Sequence, residues 1–208
     1  MTASAGTAAR VLALVLDPDV SPADDATAEH ILDAALDLAA ASGLRHLTMD
    51  DVARRSGFGR MTVYRRFGDK RGLVDALTVR ESRRCLERIA AALDTDETAP
   101  ERLASLFTAT LAVIREHPLL ERLARFEPEA LLTELTRDDS APFRLVREFL
   151  VGLIRQGQAD RELPDGDPEV LAELAMRLGA SFVLMPKSVL PLDSEAETRR
   201  ALIALLAP

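Results

Sequence analysis

The sequence predicts an all-α protein, and three observations carry that prediction. Hydrophobic residues make up 48% of the 208 positions but aromatics only 4%, with no Trp and a single Tyr, Tyr64. Leu, Ala and Val supply the rest, and they suit packed helices better than a β-sandwich. From Thr27 onward apolar positions recur at i, i+4 and i+7, and no stretch shows the sustained two-residue alternation of a half-buried strand. Proline, glycine and small polar residues fall where successive helices would start and stop.

Taken in order, residues 1–26 mix small and acidic side chains with Pro18 and Pro22 around an apolar run at 11–16, and read as a disordered acidic arm. The first helix starts at Thr27, turns Ile31, Leu32, Ala35, Leu36, Leu38 and Ala39 inward, and stops at Ser42-Gly43. A short helix over 49–55 follows. Thr48 is its N-cap, Asp51 resembles the reciprocal acid of a capping box, and Ser56-Gly57 ends it. Gly59 opens a second short helix, 60–67, ended by Gly68. Asp69 caps a long helix from 70 to about 93. Further helices are expected near 101–116, 119–126, 129–136, 142–156, 168–185 and 194–206. Pro100, Pro142 and Pro168 sit at or near first-turn positions, where a missing N–H breaks no helical bond.

The formal net charge of −8 argues at first against nucleic acid as a partner. Its distribution reverses that argument. Residues 1–44 carry one basic side chain against seven acids, 45–88 carry twelve against six, and 89–208 carry thirteen against twenty-one. A positive stretch between two acidic blocks is the footprint of a module that neutralises phosphates. A solvated helix face laced with i,i+4 pairs would carry the same charge, so the pattern alone does not decide. Only Lys70 and Lys187 among the 26 basic residues are lysines, and Arg in place of Lys with abundant Ala matches the composition of GC-rich bacterial genomes.

The two short helices decide it. Joined by a tight, glycine-containing turn, they have the layout of a helix-turn-helix. Val52 and Ala53 face inward on the first, Gly57 makes the turn, Phe58 plugs the corner, and Val63 and Phe67 anchor the second. That arrangement leaves Arg60, Met61, Thr62 and Arg65, with Tyr64 beside them, on the outer face of the second helix. Arg donates twice to guanine in the major groove, and Thr contacts a phosphate or a thymine methyl. Tyr hydroxyls and helix N-terminal amides fix register on the backbone.

The run from Leu47-Thr48-Met49-Asp50-Asp51-Val52-Ala53 through Ser56-Gly57-Phe58-Gly59 and Thr62-Val63-Tyr64-Arg65-Arg66-Phe67-Gly68-Asp69-Lys70-Arg71-Gly72-Leu73 closely resembles the DNA-binding signature of tetracycline-repressor (TetR) family transcription regulators. The resemblance spans about 27–79. It implies that Arg60, Met61 and Thr62 meet base edges or adjacent phosphates, that Tyr64 bonds a phosphate, and that Lys70 holds another. Thr48 would cap its helix and reach the backbone. Arg65 and Arg66 would be backbone contacts, with a plainly solvated Arg as the alternative. Two departures stand out: Gly59 occupies a position usually held by Ser or Thr, and the segment before the first helix is acidic (Asp24-Asp25) rather than basic. The arm is therefore not expected on the duplex.

The resemblance further implies a division into a DNA-binding domain over 27–73 and an effector-binding and dimerisation domain over 74–208, with two late helices pairing with their copies. In the helix 142–156, Phe143, Val146, Leu150 and Leu153 form one apolar stripe, and Leu145, Phe149 and Ile154 another. Two stripes predict burial of one face on the chain's own core and of the other on a partner. Ala172, Ala175 and Gly179 form a small-residue ridge on the next helix. A homodimer would present two reading helices to a pseudo-palindromic site on double-stranded DNA. Candidate pocket residues are Phe107, Leu111, Phe126, Phe149, Met176 and Phe182, each also readable as ordinary core. A lipophilic and weakly cationic effector is the expectation from those side chains and the acidic block.

Enzymatic chemistry has little support. His30, His46 and His117 fall on separate expected elements without ligand spacing, and no phosphate-cradling Gly loop or nucleophile elbow occurs. No metal and no cofactor are expected. The single Cys85 reads as a small hydrophobe or an idle thiol. The apolar run at 11–16, six residues, is too short for a membrane span or a signal core, and a cytoplasmic protein is expected. The reading is a ligand-responsive regulator, most simply a repressor. The rivals are an effector-less DNA-binding or architectural protein, and an all-α enzyme or carrier with an incidental helix-turn-helix.

Overall fold

The computed structural model describes residues 26–93, 97–127, 129, 141–185 and 187–206, with the side chains of 141–145 excluded. The expected acidic arm and the expected helix at 129–136 lie outside the described residues, as do the side chains of Phe143 and Leu145. The described chain is helical throughout, without strands.

Nine α-helices are described: α1 (Ala26–Ser42), α2 (Met49–Ser56), α3 (Arg60–Phe67), α4 (Lys70–Ala91), α5 (Ala99–Glu116), α6 (Pro118–Phe126), α7 (Ala141–Ala159), α8 (Pro168–Leu184) and α9 (Glu195–Leu206). The boundaries follow from local chemistry. Thr48 and Asp69 cap α2 and α4, accepting from the Asp51 and Gly72 amides at 3.1 and 2.9 Å. Gly57 ends α2 at φ 73°, a left-handed conformation that costs glycine no Cβ clash. Glu101 accepts from both the backbone N–H and the hydroxyl of Thr98 at 2.9 and 2.7 Å, which starts α5.

Two apolar cores organise the helices. The first gathers Ile31, Leu32, Ala35 and Ala39 of α1, Met49, Val52 and Ala53 of α2, Val63 of α3, and Leu73, Ala76 and Leu77 of α4. Leu119 and Leu123 of α6 belong to this same core, which therefore does not stop at residue 73. Helix α6 lies across α1, so a segment far along the sequence completes the packing of the N-terminal helices. Fully burying each Leu or Ile here contributes about 1.5–3 kcal/mol. The second core joins Ala99 of α5, Leu150, Val151 and Ile154 of α7, Leu163, and Ala172 of α8.

The described residues of α7 depart from one expectation. Among its described side chains, Phe149, Leu150, Leu153 and Ile154, drawn from both predicted stripes, are buried within the single chain together with Val151, and Val146 is half-buried. The reason is packing from two sides, by α5 and by α8, which sequence periodicity cannot distinguish from burial on a partner. Among the described residues, an open apolar face lies on α8, where Val170, Leu174 and Leu178 are more than half exposed.

Candidate nucleic-acid interface

Helices α2 and α3 meet through the Gly57 turn with Phe58 packed against the first core. The edge of the His30 ring meets the Phe58 ring at 5.8 Å between centroids and 87° between planes. This contact gives His30 a packing role beside the turn. Val63 is fully buried and anchors α3. With that face pinned, the opposite face is forced outward.

The expected reading residues sit on that outer face. Met61 is 80% exposed, an unusual placement for a thioether unless it has something to touch. Arg60, Tyr64 and Arg65 are exposed, and Thr62 is half-buried beside them. The Arg60 guanidinium has two neighbours: its Nε lies 2.6 Å from Asp50 Oδ1, and its central carbon is 5.6 Å from the Tyr64 ring centroid. Hydrogen bonding with Tyr64 first, and then the Asp50 charge, raise the Arg60 pKa above its already high ordinary value, so the cation is permanent. Gly59 gives α3 no side-chain cap.

Thr48 and Lys70 are placed at the margins of this face, each with an internal bond. The Thr48 hydroxyl donates to Asp51 Oδ2 at 2.6 Å while accepting the Asp51 N–H. The reciprocal bond therefore runs to the hydroxyl, a variation on the expected capping box. Lys70 Nζ donates to the Arg45 carbonyl at 2.8 Å, which ties the start of α4 to the loop after α1. An ammonium has three donors, so this bond does not exhaust it. Arg65 and Arg66 line a shallow groove of about 420 Å³ with Ala28, Phe67, Gly72 and Ala76. Some of the positive charge counted in the sequence is neutralised locally, because Arg54 pairs with Asp51, and Arg55 with Asp37 at 2.7 Å.

The candidate pocket residues are brought together only in part. Phe107 of α5 and Phe182 of α8 meet edge to face at 5.4 Å. Leu111 and Phe149 are buried on α5 and α7, and Met176 packs against the second core. Phe126 stands apart. It is 61% exposed at the end of α6, between the guanidinium groups of Arg122 and Arg125. Burial, and then the Glu81 charge, push the Cys85 thiol up to about 11, which suits an inert thiol and not a nucleophile. Among the described residues, no group of three or more His, Cys, Asp or Glu is placed to hold a metal, and no helix is long and apolar enough to cross a membrane.

A helix-turn-helix with a basic outer face, followed by a 22-residue helix that packs on α5 and by a second helical core, defines a DNA-binding transcription regulator. Comparisons with known proteins agree. Residues 31–77 match the model of the bacterial regulatory proteins of the tetR family. The HTH-type transcriptional regulator AlkX of Mycobacterium tuberculosis is 29% identical over 165 residues, covering 76% of this chain and 75% of AlkX. The HTH-type transcriptional repressor DrrR1 of Streptomyces coeruleorubidus is 33% identical over 131 residues, covering 61% of this chain and 47% of DrrR1. The solved structure of AibR in complex with isovaleryl coenzyme A and operator DNA has the same fold, with a TM-score of 0.61 and 14% identity over 88% of this chain and 98% of that one. Residues 31–77 thus carry the match to the tetR family of bacterial regulatory proteins, and the chain as a whole is similar to transcription regulators of that type.

Proposed function

We propose that the protein is a cytoplasmic, homodimeric repressor that binds a pseudo-palindromic operator and is released from it by a small lipophilic molecule. The outer face of α3 carries the reading: Arg60, Met61 and Thr62 meet base edges, Tyr64 and Arg65 meet the phosphate backbone, and Thr48 and Lys70 flank them. Residues 27–73 form the reading unit, and the helices after them form the effector and dimerisation unit. The exposed Val170, Leu174 and Leu178 of α8 supply the dimer face, which sets the spacing of two reading helices. Phe107, Leu111, Phe149, Met176 and Phe182 of α5, α7 and α8 offer the apolar lining for an effector. Ligand would favour a dimer with a different reading-helix spacing, and the DNA affinity lost is the coupling free energy. AibR, with its acyl-thioester ligand and operator, supplies a precedent for such a pairing on this fold.

The test is binding-site selection from random duplexes, followed by fluorescence anisotropy on the selected site across a salt series. Specific, salt-dependent binding is expected, with Tyr64→Ala and Lys70→Ala each weakening it. Binding equal to that of scrambled DNA at moderate salt would overturn the reading. A thermal-shift screen of apolar ligands tests the effector, because a binder of the folded state raises the melting temperature. Release of the selected DNA by the same ligand distinguishes a repressor with an effector from an effector-less DNA-binding protein.

A further inference from the structure

We infer that Asp50 is a positioning residue for DNA reading: through Arg60 Nε it fixes how that guanidinium is presented, and so which base pair α3 selects. The inference rests on α3 being the reading helix. Asp50 lies in the first turn of α2 and Arg60 is the first residue of α3, and only the turn between them brings Oδ1 within 2.6 Å of Nε. A local partner was available but is not taken. Arg54, four residues after Asp50, pairs with Asp51 instead, and Arg55 pairs with Asp37. The cap of α2 is likewise made by Thr48 and Asp51, which leaves the Asp50 carboxylate to Arg60.

The geometry matters because Arg60 starts an eight-residue helix with no side-chain cap. A long, unbranched side chain at such a position would otherwise sample many rotamers, and ordering it on DNA would cost affinity and blur selectivity. Asp50 holds the guanidinium from the α2 side and the Tyr64 ring supports it from one turn along α3. The side chain nevertheless remains 64% exposed. With Nε engaged, the terminal nitrogens are the donors left to form a fork toward guanine O6 and N7. The pairing also cancels a carboxylate that would otherwise face phosphates. An exposed pair of this kind adds little to stability, so its removal should register in selectivity and not in folding.

The experiment compares wild type, Asp50→Ala, Asp50→Asn and Arg60→Ala by selection from random duplexes. Anisotropy titrations on the selected site and its single-pair variants follow, with a thermal melt for each protein. Arg60→Ala is expected to erase preference at one base pair per half-site. Asp50→Ala should weaken preference at that same pair by about tenfold, the scale of one lost bidentate contact, while binding to unselected DNA holds or rises. Asp50→Asn should keep most of the preference, because its amide oxygen still accepts from Nε, and Asp50→Ser, too short to reach Nε and expected to lose preference as alanine does, stands in if the alanine protein does not fold. The inference is overturned if Asp50→Ala keeps full preference at the Arg60 pair, or if it changes binding to every duplex by one common factor. It is also overturned if Arg60→Ala loses no preference anywhere. Selection of no sequence by wild type would instead overturn the reading of α3 itself, and that outcome is seen before any variant is compared.

Discussion

Glu81 on α4 and His117 at the corner between α5 and α6 meet at 3.0 Å, and both are almost wholly buried. His117 Nδ1 accepts the Leu120 N–H at 3.3 Å, so the tautomer assigned from that bond donates Nε2–H to the Glu81 carboxylate. The other oxygen of Glu81 takes Arg80 Nε at 2.7 Å, and Arg80 continues to Asp33 at 2.9 Å and Glu29 at 3.3 Å on α1. One line of charge thus joins α1, α4 and the α5–α6 corner. These are the elements through which the reading helices are tied to the rest of the chain.

That line predicts a pH signature. Burial pushes the Glu81 pKa up, but the hydrogen bond with His117 and the charges of Arg80 and Arg84 outweigh it, and the net shift is downward from 4.5. A depressed carboxylate stabilises the fold above its unfolded value and loses that contribution as pH falls through its folded value. Urea titrations of wild type should therefore show stability declining below about pH 4.5. Glu81→Gln should be less stable at neutral pH, since it leaves a buried Arg80 undercompensated, and should decline less steeply in acid. Parallel pH profiles for the two proteins would remove Glu81 from this role.

Gly43 is expected to resist substitution for two separable reasons. Its φ is 88°, and a Cβ there would run into the Glu127 carboxylate, which belongs to the chain just after α6. Gly43→Ala should cost roughly 1–3 kcal/mol from backbone conformation alone, since φ 88° with ψ 154° is a region essentially confined to glycine, and a smaller amount from displacing the tip of the flexible Glu127 side chain. Chemical denaturation of Gly43→Ala alone and combined with Glu127→Ala checks this. The double variant should recover the clash portion relative to Glu127→Ala and keep the backbone portion.

Gly59→Ser should be tolerated and should tighten DNA binding. Nothing lies within 4 Å of a Cβ at this position, and φ is an ordinary −63°. A serine N-cap exceeds glycine by only a few tenths of a kcal/mol, so the melting temperature should rise slightly. The new hydroxyl should add a phosphate bond, read as a several-fold lower Kd by anisotropy. Equal affinity for both proteins would place this end of α3 away from the backbone.

Leu174→Glu combined with Leu178→Glu should convert a dimer into a monomer. Both side chains are more than half exposed on α8, beside the Glu173–Arg177 pair. Buried across an interface they would favour association, and an unpaired buried charge there is prohibitive. Sedimentation should show half the mass with helicity retained. A variant that remains dimeric would assign the interface to another face.

Much of the fold is legible along the chain because helix boundaries are local events. Thr48, Gly57, Asp69, Pro100 and Pro168 act on their own backbone or that of near neighbours, and the helices begin and end close to them. The exposed face of α3 is legible for a similar reason: once Val63 is placed inward, the helical period sends Met61 and Arg65 outward. The burial of α7 is not legible. An apolar stripe states that it must be covered, but not by which helix, and here α5 and α8 cover the described residues from Phe149 to Ile154.

The sequence by itself therefore determined the helical class, the reading module and the sign of its charge, all set by spacings of a few residues. Tertiary structure alone decided three things that depend on side chains distant in sequence. It brought α6 into the first core through Leu119 and Leu123, paired Glu81 with His117, and set Asp50 against Arg60 in preference to Arg54. Local rules act through backbone geometry shared by every helix, whereas these pairings depend on how whole helices cross. Crossing is settled by the joint packing of the cores, which no single segment encodes.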